Sequence, residues 1–339
     1  MNGAATVNAA ALPPAPPAIV GPDGIPLLGR FAGPAQGLDW ARLAPPYARN
    51  ALWRRLHHKR WHYVALVTEE IFCAVAIVDL GWMTTCFGYA FDRSDGDMMA
   101  NFSQDGLPGR WSATMANDAG GASRFARRDT HIGIVPIAAG GWELTVHCPW
   151  VEIGARFGAI PAPFLLATGL VRGGSVHATQ KSGGLPLTGE VRTWRDEYSL
   201  DGGVASFDHS NGLLPRETGW RWASAHSLDA GFNLQAGYFG ACENAVWLDG
   251  AVHPLGAARF IVDRKDIMQP WHIFTEDDCL DVIFTPEAAR RETRNLRIAA
   301  SRYVQPLGTF TGWVRSAPDA PKRAIDRLPG VTEDHFARW

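Results

Sequence analysis

The sequence predicts an all-β protein, on two observations. Apolar and aromatic residues recur mostly with a period of two, which is the spacing of a strand with one buried face. Turn-forming pairs such as Asp95-Gly96, Gly202-Gly203 and Asp249-Gly250 separate these runs, and their tolerance of positive φ suits hairpins. Many strands at short spacing with glycine-rich turns indicate sandwiches or barrels. We therefore expect two packed β halves with two or three short helices.

The strands can be placed in order along the chain. Arg60–Thr68, Ile71–Asp79 and Trp82–Asp92 are β-branched and aromatic runs separated by turn residues or a glycine, which predicts a meander of three strands. Similar runs predict further strands at 132–137, 142–148, 164–172, 189–195, 204–209, 219–227, 231–240, 244–248, 257–263, 271–275, 279–284, 296–304 and 308–314.

Helix signals are few. Pro46–His58 mixes apolar and arginine positions and is predicted to be helical. A second short helix is expected after Thr285-Pro286-Glu287, because a Thr cap followed by Pro at the first helical position suits a helix start. The segment Arg110–Thr130 contains Asn117-Asp118-Ala119-Gly120-Gly121 and is expected to be a long, turn-rich connection.

Two halves are expected because one pattern recurs along the chain. Trp61-His62-Tyr63 and Trp220-Arg221-Trp222 each open a stretch that closes on an aromatic residue followed by Asp. Two related halves packed together would produce such a repeat, and 339 residues is the length of about two domains. We expect a disordered, Ala/Pro-rich lead-in at 1–22, an N-terminal half at 23–185 and a C-terminal half at 186–339.

Composition excludes several classes of partner. The 32 basic and 34 acidic residues leave a net charge of −2, which gives no field to attract nucleic acid or an anionic membrane. The five cysteines contain no C-x-x-C pair, so neither a disulfide framework nor a cysteine zinc site is expected. No basic residue precedes Arg30, and no run approaches the roughly 18 apolar residues of a membrane helix. We expect a cytoplasmic monomer or homodimer without integral membrane contact.

The familiar motifs of cofactor and metal enzymes are missing. The sequence has no G-x-S-x-G elbow, no phosphate-binding P-loop, no H-E-x-x-H helix and no strand-to-helix G-x-G-x-x-G, so we expect no cofactor. The basic cluster at 54–62 holds three histidines, but a metal would need ligands from elsewhere, so a solvated helix or an interdomain contact is favoured and no metal is expected. Lys181 lies in a glycine-rich stretch and is interpreted as a solvated loop charge.

Candidate acid–base residues cluster after residue 207. Asp208 and His209 are adjacent at a predicted strand end, so they face opposite sides of an extended strand and only one can point inward. A carboxylate and an imidazole near an apolar cavity would supply a proton donor and acceptor. The alternative is that Asp208 caps the Asn211-Gly212 turn and His209 is half-exposed. Arg216 is a candidate ligand contact or an ion-pair partner of Asp208.

The next two predicted strands carry polar groups on faces that otherwise look buried. Trp220, Trp222, Ser224 and His226 alternate on one face, as expected for the aromatic wall of an apolar ligand site or, equally, for core packing. Asn233 and Gln235 share a face of the following strand, where an unpaired amide would be costly unless a ligand or water satisfied it.

A carboxylic acid and an amide follow that strand in Glu243-Asn244. If Glu243 is buried, its raised pKa would make it a general acid. The alternative is that Glu243 anchors a turn. The candidate catalytic residues are therefore Asp208, His209, His226 and Glu243, and the candidate ligand contacts are Trp220, Trp222, Asn233, Gln235, Asn244 and Arg216.

Several motifs identify a resemblance to a known family. They are Lys59-Arg60-Trp61-His62-Tyr63, Phe207-Asp208-His209-Ser210-Asn211-Gly212, Arg216-Glu217-Thr218-Gly219-Trp220-Arg221-Trp222-Ala223, Phe232-Asn233-Leu234-Gln235-Ala236-Gly237, Glu243-Asn244, Pro270-Trp271, Gln305-Pro306-Leu307-Gly308-Thr309-Phe310-Thr311-Gly312 and Glu333-Asp334-His335-Phe336-Ala337-Arg338-Trp339. The chain resembles the bacterial family of the domain of unknown function 2804 over roughly residues 20 to 339. More distantly it resembles tandem lipocalin-like proteins that include carotenoid hydratases. This implies two lipocalin-like β-barrel halves enclosing an apolar pocket.

Three functions are compatible with these observations. The first is an enzyme, a hydro-lyase or isomerase, that binds a hydrophobic isoprenoid or acyl molecule in a β-barrel pocket and acts by cofactor-free acid–base chemistry. The second is a lipid-binding or carrier protein that uses the same pocket without chemistry. The third is a structural β-protein whose tryptophans are all core. The first is preferred, because both the acid–base residues and the aromatic face are present.

Overall fold

A computed structural model of the chain describes residues 12–138, 140–159, 162–296 and 299–339. The first sheet contains β1 Gly29–Ala32, β2 His58–Val67, β3 Ile71–Asp79, β4 Thr84–Asp92, β5 Asp97–Gly106, β6 Ala113–Met115, β7 Ser123–Arg127, β8 Thr130–Pro136, β9 Trp142–Cys148, β10 Val151–Phe157, β11 Leu165–Leu170, β12 Val176–Thr193, β13 Glu197–Ser199 and β14 Gly203–Leu213. The second contains β15 Glu217–His226, β16 Ala230–Gly237, β17 Ala245–Leu248, β18 Ala251–Pro254, β19 Ala258–Ile261, β20 Trp271–Thr275, β21 Leu280–Leu296, β22 Ala299–Val314 and β23 Arg323–Arg338.

The predicted all-β fold of two halves is confirmed, as one nearly closed barrel and one half-barrel. The first sheet runs in the order β5-β4-β3-β2-β14-β12-β10-β9-β8-β7-β6, and β11 and β13 also pair with β12. The second runs β18-β17-β16-β15-β23-β22-β21-β20-β19. Neighbouring strands in both sheets are antiparallel, including β2 with β14 and β15 with β23.

Alternation along the strands separates the barrel core from the contact between the sheets. Val64 and Leu66 of β2 belong to the core inside the first sheet. Tyr63 and Ala65 of the same strand face the other way and pack with Trp222 of β15. Because successive side chains of a strand point to opposite faces, β2 contributes both to its own barrel and to the contact with the second sheet.

The helical predictions have different outcomes. Helix α1, Ala51–His57, lies within the predicted helical segment, and the Asn50 side chain caps it by accepting the Trp53 N–H at 2.8 Å. The predicted helix after Pro286 is wrong, because β21 continues through it to Leu296. Pro286 sits at a register shift between β21 and β22, a position where a strand tolerates its missing N–H. None of the helices in the described ranges has the length and apolar content to cross a membrane.

Two other segments are more regular than expected. The predicted connection at 110–130 contains β6 and β7, which extend the first sheet through pairing with β8. The Lys181 segment is not a solvated loop, because Lys181 lies in the middle of β12 and pairs directly with Asp208 of β14. Both segments form strands despite their glycines, because pairing with neighbouring strands outweighs the low strand propensity of glycine.

The boundaries of the halves differ from the sheet boundaries. The first sheet ends at Leu213 and the second begins at Glu217, whereas the predicted halves meet at residue 185. The difference arises because β14 pairs with β12 and therefore belongs to the first sheet. The division into two domains stays a prediction. Of the lead-in at 1–22, residues 1–11 lie outside the described residues, and Ile19 and Val20 are buried in the cluster beneath β11 and β12.

Candidate functional site

A cavity of about 100 Å³ lies between the two sheets. Aromatic residues and a few carboxyl groups line it, and they come from both sheets and the chain end: Trp61, Tyr63, Ala76, Val78, Phe87, Asp208, Trp220, Trp222, Gln235, Tyr238, Glu243, Tyr303, Glu333, His335 and Trp339. The sequence predicted an apolar pocket enclosed by two β-barrel halves. The cavity lies outside the first sheet, on the β2 face that carries Trp61 and Tyr63, while the opposite face of β2 packs in the apolar barrel core.

A second chamber of about 140 Å³ adjoins this cavity. Val78, Phe87, Tyr303, His335 and Trp339 line both chambers. The second chamber is also lined by β4 and by the β21–β22 hairpin, including residues Thr85, Arg290 and Ser301. The two chambers therefore share an aromatic part of their wall, and the second chamber adds the charged residues Arg290, Glu292, Arg294 and Arg338.

An ion pair is buried beside the cavity. Lys181 of β12 and Asp208 of β14 are cross-strand partners, and the Lys181 Nζ lies 2.5 Å from Asp208 Oδ2. Glu243, in the turn between β16 and β17, brings its Oε2 to 3.5 Å from the same Nζ. All three side chains are buried. A cation and two carboxyl groups from both sheets therefore meet at one point.

Asp208 is held in its ionised form. Its Oδ1 accepts hydrogen bonds from the Thr179 and Ser210 hydroxyls at 3.0 Å each, and the Trp61 Nε1–H approaches Oδ2 at 3.4 Å. Burial alone would raise the pKa of Asp208, but the charge of Lys181 and these hydrogen bonds lower it below its ordinary value. Burial alone would lower the pKa of Lys181, but the negative charge of Asp208 raises it above its ordinary value.

Glu243 has the opposite protonation tendency. Burial raises the pKa of its carboxyl to about 7, with the attraction of Lys181 opposing the rise and the negative charge of Asp208 adding to it. Near neutral pH the three side chains are therefore an ammonium, a carboxylate and a carboxyl group that is only partly ionised. Such a set satisfies the requirement that buried charges be paired. It also leaves a proton at Glu243 that can be donated.

Aromatic rings form the wall facing this cluster. Trp61 of β2 stacks on Trp220 of β15 with ring centroids 6.2 Å apart and an interplanar angle of 11°. Tyr63 packs edge-on against Trp222 at 5.5 Å. The Lys181 Nζ lies 5.8 Å from the centroid of the Trp222 ring. The electron-rich faces of these rings favour positive charge in their vicinity.

A third carboxyl group, that of Glu333, lies on the β23 side of the cavity. Glu333 accepts hydrogen bonds from Trp220 Nε1 at 2.7 Å and from Gln305 Nε2 at 3.2 Å, and His335 Nδ1 lies 3.6 Å from its Oε1. His335 Nε2 is also 2.9 Å from the Ser301 hydroxyl. The sequence prediction missed Glu333 and His335 as site residues, although their i, i+2 spacing in the closing motif places both on one strand face.

The family model for a domain of unknown function, DUF2804, matches residues 27–339. The chain belongs to this family. The predicted resemblance is therefore confirmed. No curated protein matches the chain.

Solved structures similar to this DUF2804 chain have very different sequences. They include an AttH-type protein of Nitrosomonas europaea, with 11% identity, a TM-score of 0.52 and coverage of 87% of this chain and 98% of the other. CghA in complex with Sch210972 has 11% identity, a TM-score of 0.53 and coverage of 83% and 88%. Kievitone hydratase of Nectria haematococca has 8% identity, a TM-score of 0.55 and coverage of 87% and 94%. At these identities the likeness concerns the fold alone.

The structure brings five of the ten predicted site residues to the cavity: Asp208, Glu243, Trp220, Trp222 and Gln235. His209 is not among them. It faces the barrel interior, where its ring centroid lies 5.1 Å from that of His62 and its Nε2 lies 3.2 Å from the carbonyl oxygen of Ala116. Burial lowers the pKa of His209 to about 4. Because Asp208 and His209 point to opposite faces of β14, only Asp208 reaches the cavity.

His226 also lies away from the cavity. Its ring packs edge-on against Trp247 at 5.1 Å, and burial lowers its pKa to about 3. Ser224 and His226 line a separate void of only about 10 Å³. The predicted face of β15 therefore divides in two, with Trp220 and Trp222 at the cavity and Ser224 and His226 in tight packing.

The remaining predicted contacts hold the backbone around the site. Asn233 accepts the Trp222 Nε1–H at 2.6 Å and donates to the Glu243 carbonyl oxygen at 3.0 Å. Asn244 accepts the Gln235 backbone N–H at 2.6 Å. Arg216 is exposed and donates to the Trp339 carbonyl oxygen at 2.9 Å, so Lys181 and not Arg216 is the ion-pair partner of Asp208.

Within the described ranges, no group of three or more histidine, cysteine, aspartate or glutamate side chains is arranged to hold a metal ion. The basic cluster at 54–62 is divided between helix α1 and strand β2. Lys59 is fully buried there, and its Nζ donates to the carbonyl oxygens of Leu56 and Leu80 at 2.6 and 2.7 Å. This part of the cluster therefore holds the start of β2 in place.

Proposed function

We propose that the cavity between the sheets binds a hydrophobic small molecule of isoprenoid or acyl type and carries out cofactor-free acid–base chemistry on it, as hydration, dehydration or isomerisation. The observation that carries this proposal is Glu243, a buried carboxylic acid with a pKa of about 7 beside the Lys181–Asp208 ion pair and an aromatic wall. A general acid works best when its pKa lies near the working pH.

The proposed first step is transfer of the Glu243 proton to one carbon of a carbon–carbon double bond. The π electron pair forms the new C–H bond, and positive charge develops on the other carbon. Lys181, 3.5 Å from Glu243, stabilises the carboxylate that remains. The faces of Trp220 and Trp222 stabilise the developing cation.

Completion of the reaction requires only water or a base. In hydration, water attacks the cation and its proton returns to a carboxylate, so that Glu243 is regenerated. In isomerisation, the cation loses a proton from a neighbouring carbon to the same carboxylate. Dehydration is the reverse of hydration, with Glu243 protonating the departing hydroxyl. Glu333, across the cavity, is the second candidate acceptor for these protons.

The comparisons support this proposal at the level of the fold. Kievitone hydratase, named as a hydratase, has a similar overall structure. CghA was solved with a small molecule, Sch210972. Because a fold can host unrelated functions, the likeness supports a ligand-binding or catalytic role and not a particular reaction.

A carrier protein without chemistry is the second candidate. The observation in its favour is that Lys181, Asp208 and Glu243 satisfy one another, as a purely structural network would. The two candidates differ in one respect. An enzyme must exchange protons between Glu243 and the carbon skeleton of its ligand, whereas a carrier returns the ligand unchanged.

The experiment uses the full chain and any small molecule that co-purifies with it, detected by native mass spectrometry. The extracted molecule is returned to the protein in D₂O, and deuterium on carbon is measured by mass spectrometry. We expect incorporation with the native chain, a loss of at least about 100-fold for Glu243→Gln, and no loss for Glu69→Gln, whose side chain is exposed.

The outcomes separate the two candidates. An unchanged ligand with the native chain would favour the carrier. Full turnover by both Glu243→Gln and Asp208→Asn, with their folds intact, would contradict the proposed chemistry. Failure to bind any apolar ligand would contradict both candidates.

A further inference from the structure

Gln235 is an unpartnered amide in the cavity wall. It lies on β16 directly opposite Trp222 of β15, so its side chain faces the cavity together with the Trp222 ring. The residue is 3% exposed, and neither its Nε2 nor its Oε1 has a hydrogen-bond partner among the described residues. The backbone around it is fixed, because the Gln235 N–H donates to Asn244 Oδ1 at 2.6 Å.

The neighbouring amide of Asn233 is hydrogen-bonded, in contrast to that of Gln235. Asn233, on the same face of β16, has both side-chain atoms bonded, to Trp222 and to the Glu243 backbone. Buried amides without partners are uncommon in native structures, because the unmade hydrogen bonds are costly, and each one calls for an explanation such as a functional role. Glu243 anchors to β16 through Asn233, so the unsatisfied Gln235 amide and the proposed acid are held by one short segment.

The two side-chain atoms of Gln235 that lack partners within the described ranges determine which ligand groups could form hydrogen bonds with them. The Nε2 atom is a donor and the Oε1 atom an acceptor. A hydrocarbon satisfies neither, and a carbonyl or ether oxygen satisfies only the donor. A hydroxyl group both donates and accepts. The Tyr303 hydroxyl, which also lines the cavity, likewise has no partner in the described part of the chain.

Charge favours a neutral ligand group. Lys181, which lies behind the cavity-lining residues Asp208 and Glu243, is already paired with both of them. The Asp208 carboxylate, which is ion-paired with Lys181, lines the cavity and would repel a carboxylate or phosphate. An anionic head group therefore lacks a free counter-ion among the described residues beside Gln235, because the arginines Arg290, Arg294 and Arg338 line only the second chamber.

We propose that Gln235 is a specificity-determining residue that binds a hydroxyl group of an otherwise apolar ligand, and that the natural ligand is an alcohol and not a hydrocarbon. This inference rests on the proposed function, since it concerns the occupant of the same cavity. It narrows the substrate class to an alcohol held with its hydroxyl beside Glu243, which is the arrangement that dehydration requires.

The test compares farnesol with farnesyl methyl ether, which cannot donate a hydrogen bond, through quenching of tryptophan fluorescence in the full chain. We expect the native protein to bind farnesol about tenfold more tightly than the ether, because one hydrogen bond is worth about 1.4 kcal/mol here. In Gln235→Met we expect this preference to disappear while ether binding is retained. Gln269→Met is the matched control, because Gln269 is exposed and lines neither chamber.

A second measurement does not depend on the probe. Removal of an amide that lacks partners should not weaken the unliganded protein, so we expect the urea midpoint of Gln235→Met to equal or exceed that of the native chain. A structural amide would give a clear decrease.

The inference is overturned if the native protein binds farnesol and the ether equally, or if Gln235→Met keeps the farnesol preference or lowers the urea midpoint. The first of these outcomes leaves the cavity as a binding site and the acid chemistry untouched. Binding of neither probe overturns this inference together with the isoprenoid part of the proposed function.

Discussion

Asp208 shows how much a single residue depends on its neighbours. Its carboxylate accepts hydrogen bonds from Lys181, Thr179 and Ser210, and these three residues all lie on β12 or on β14 itself. The sequence predicted that Asp208 and His209 face opposite ways, and this is confirmed. The sequence could not predict which of the two residues faces the cavity, because the pattern does not say which side of β14 meets the other sheet.

Replacement of Asp208 by Asn should remove the closer counter-ion of the buried Lys181 and leave only Glu243, which lies 3.5 Å away and is not fully ionised at neutral pH. We expect the free energy of unfolding at pH 7 to fall by about 3–5 kcal/mol, the cost of breaking a buried pair from one side. Urea denaturation checks this, with Asp319→Asn as the control because Asp319 is exposed. Equal stability of the two variants would contradict a structural role for the pair.

The raised pKa of Glu243 predicts a pH dependence of stability. The folded carboxyl has a pKa of about 7 against an ordinary value of 4.5, so the folded state binds the proton more tightly than the unfolded state. Its stabilising contribution is complete below pH 4.5 and is lost as the pH rises through 7, by about 3 kcal/mol. We expect urea midpoints measured from pH 4.5 to 8 to show this decline, and Glu243→Gln to remove it. A decline of the same size in that variant would assign it to other groups.

At the scale of elements, strand β12 carries the unexpected centre of the site. Its glycine-rich stretch 181–184 contains a register shift between Ser182 and Leu185 and still pairs with β14 on both sides of it. A Cβ at Gly183 would lie 2.1 Å from His226 Nδ1 of the second sheet. The glycines therefore permit close approach of the two sheets and do not indicate a loop.

The helix that was wrongly predicted after Pro286 has a related cause. Its capping signal is local, whereas β21 is fixed by pairing with β20 and β22.

Replacement of Gly183 by Ala should separate β12 from His226. We expect it to lower the free energy of unfolding by about 1–3 kcal/mol, as overpacking does in other cores. Gly154→Ala is a suitable control, because Gly154 is also in a strand but a Cβ there would contact nothing within 4 Å. Thermal or urea unfolding of both variants measures the difference. A cost no greater than that of the control would argue against tight contact at this point.

At the scale of the whole molecule, the contact between the sheets is both core and site. Residues Tyr63, Phe72 and Tyr89 of the first sheet pack with Trp222, Leu307 and Val331 of the second in one buried apolar cluster. The cavity opens within this same layer. A ligand there would contact both sheets and should stabilise their association.

This contact predicts cooperative unfolding. Because the sheets bury an apolar layer against each other, we expect one transition in urea, with coincident midpoints by tryptophan fluorescence and far-ultraviolet circular dichroism. The measurement needs only the native chain. Two separated transitions would show that each sheet is stable without the other.

The sequence by itself determined the all-β class, most strand positions, the family, and the aromatic and acidic composition of the site, because period-two patterning and motifs are local properties of the chain. Only the tertiary structure decided that Lys181 belongs to the site, that Glu333 and His335 line the cavity from the other side, and that His209 and His226 do not. Lys181 and Asp208 are 27 residues apart, and Glu243 reaches them from the other sheet. These three side chains meet because of the strand register and the packing of the two sheets. Both depend on many contacts between residues that are distant in sequence, which a local pattern does not contain.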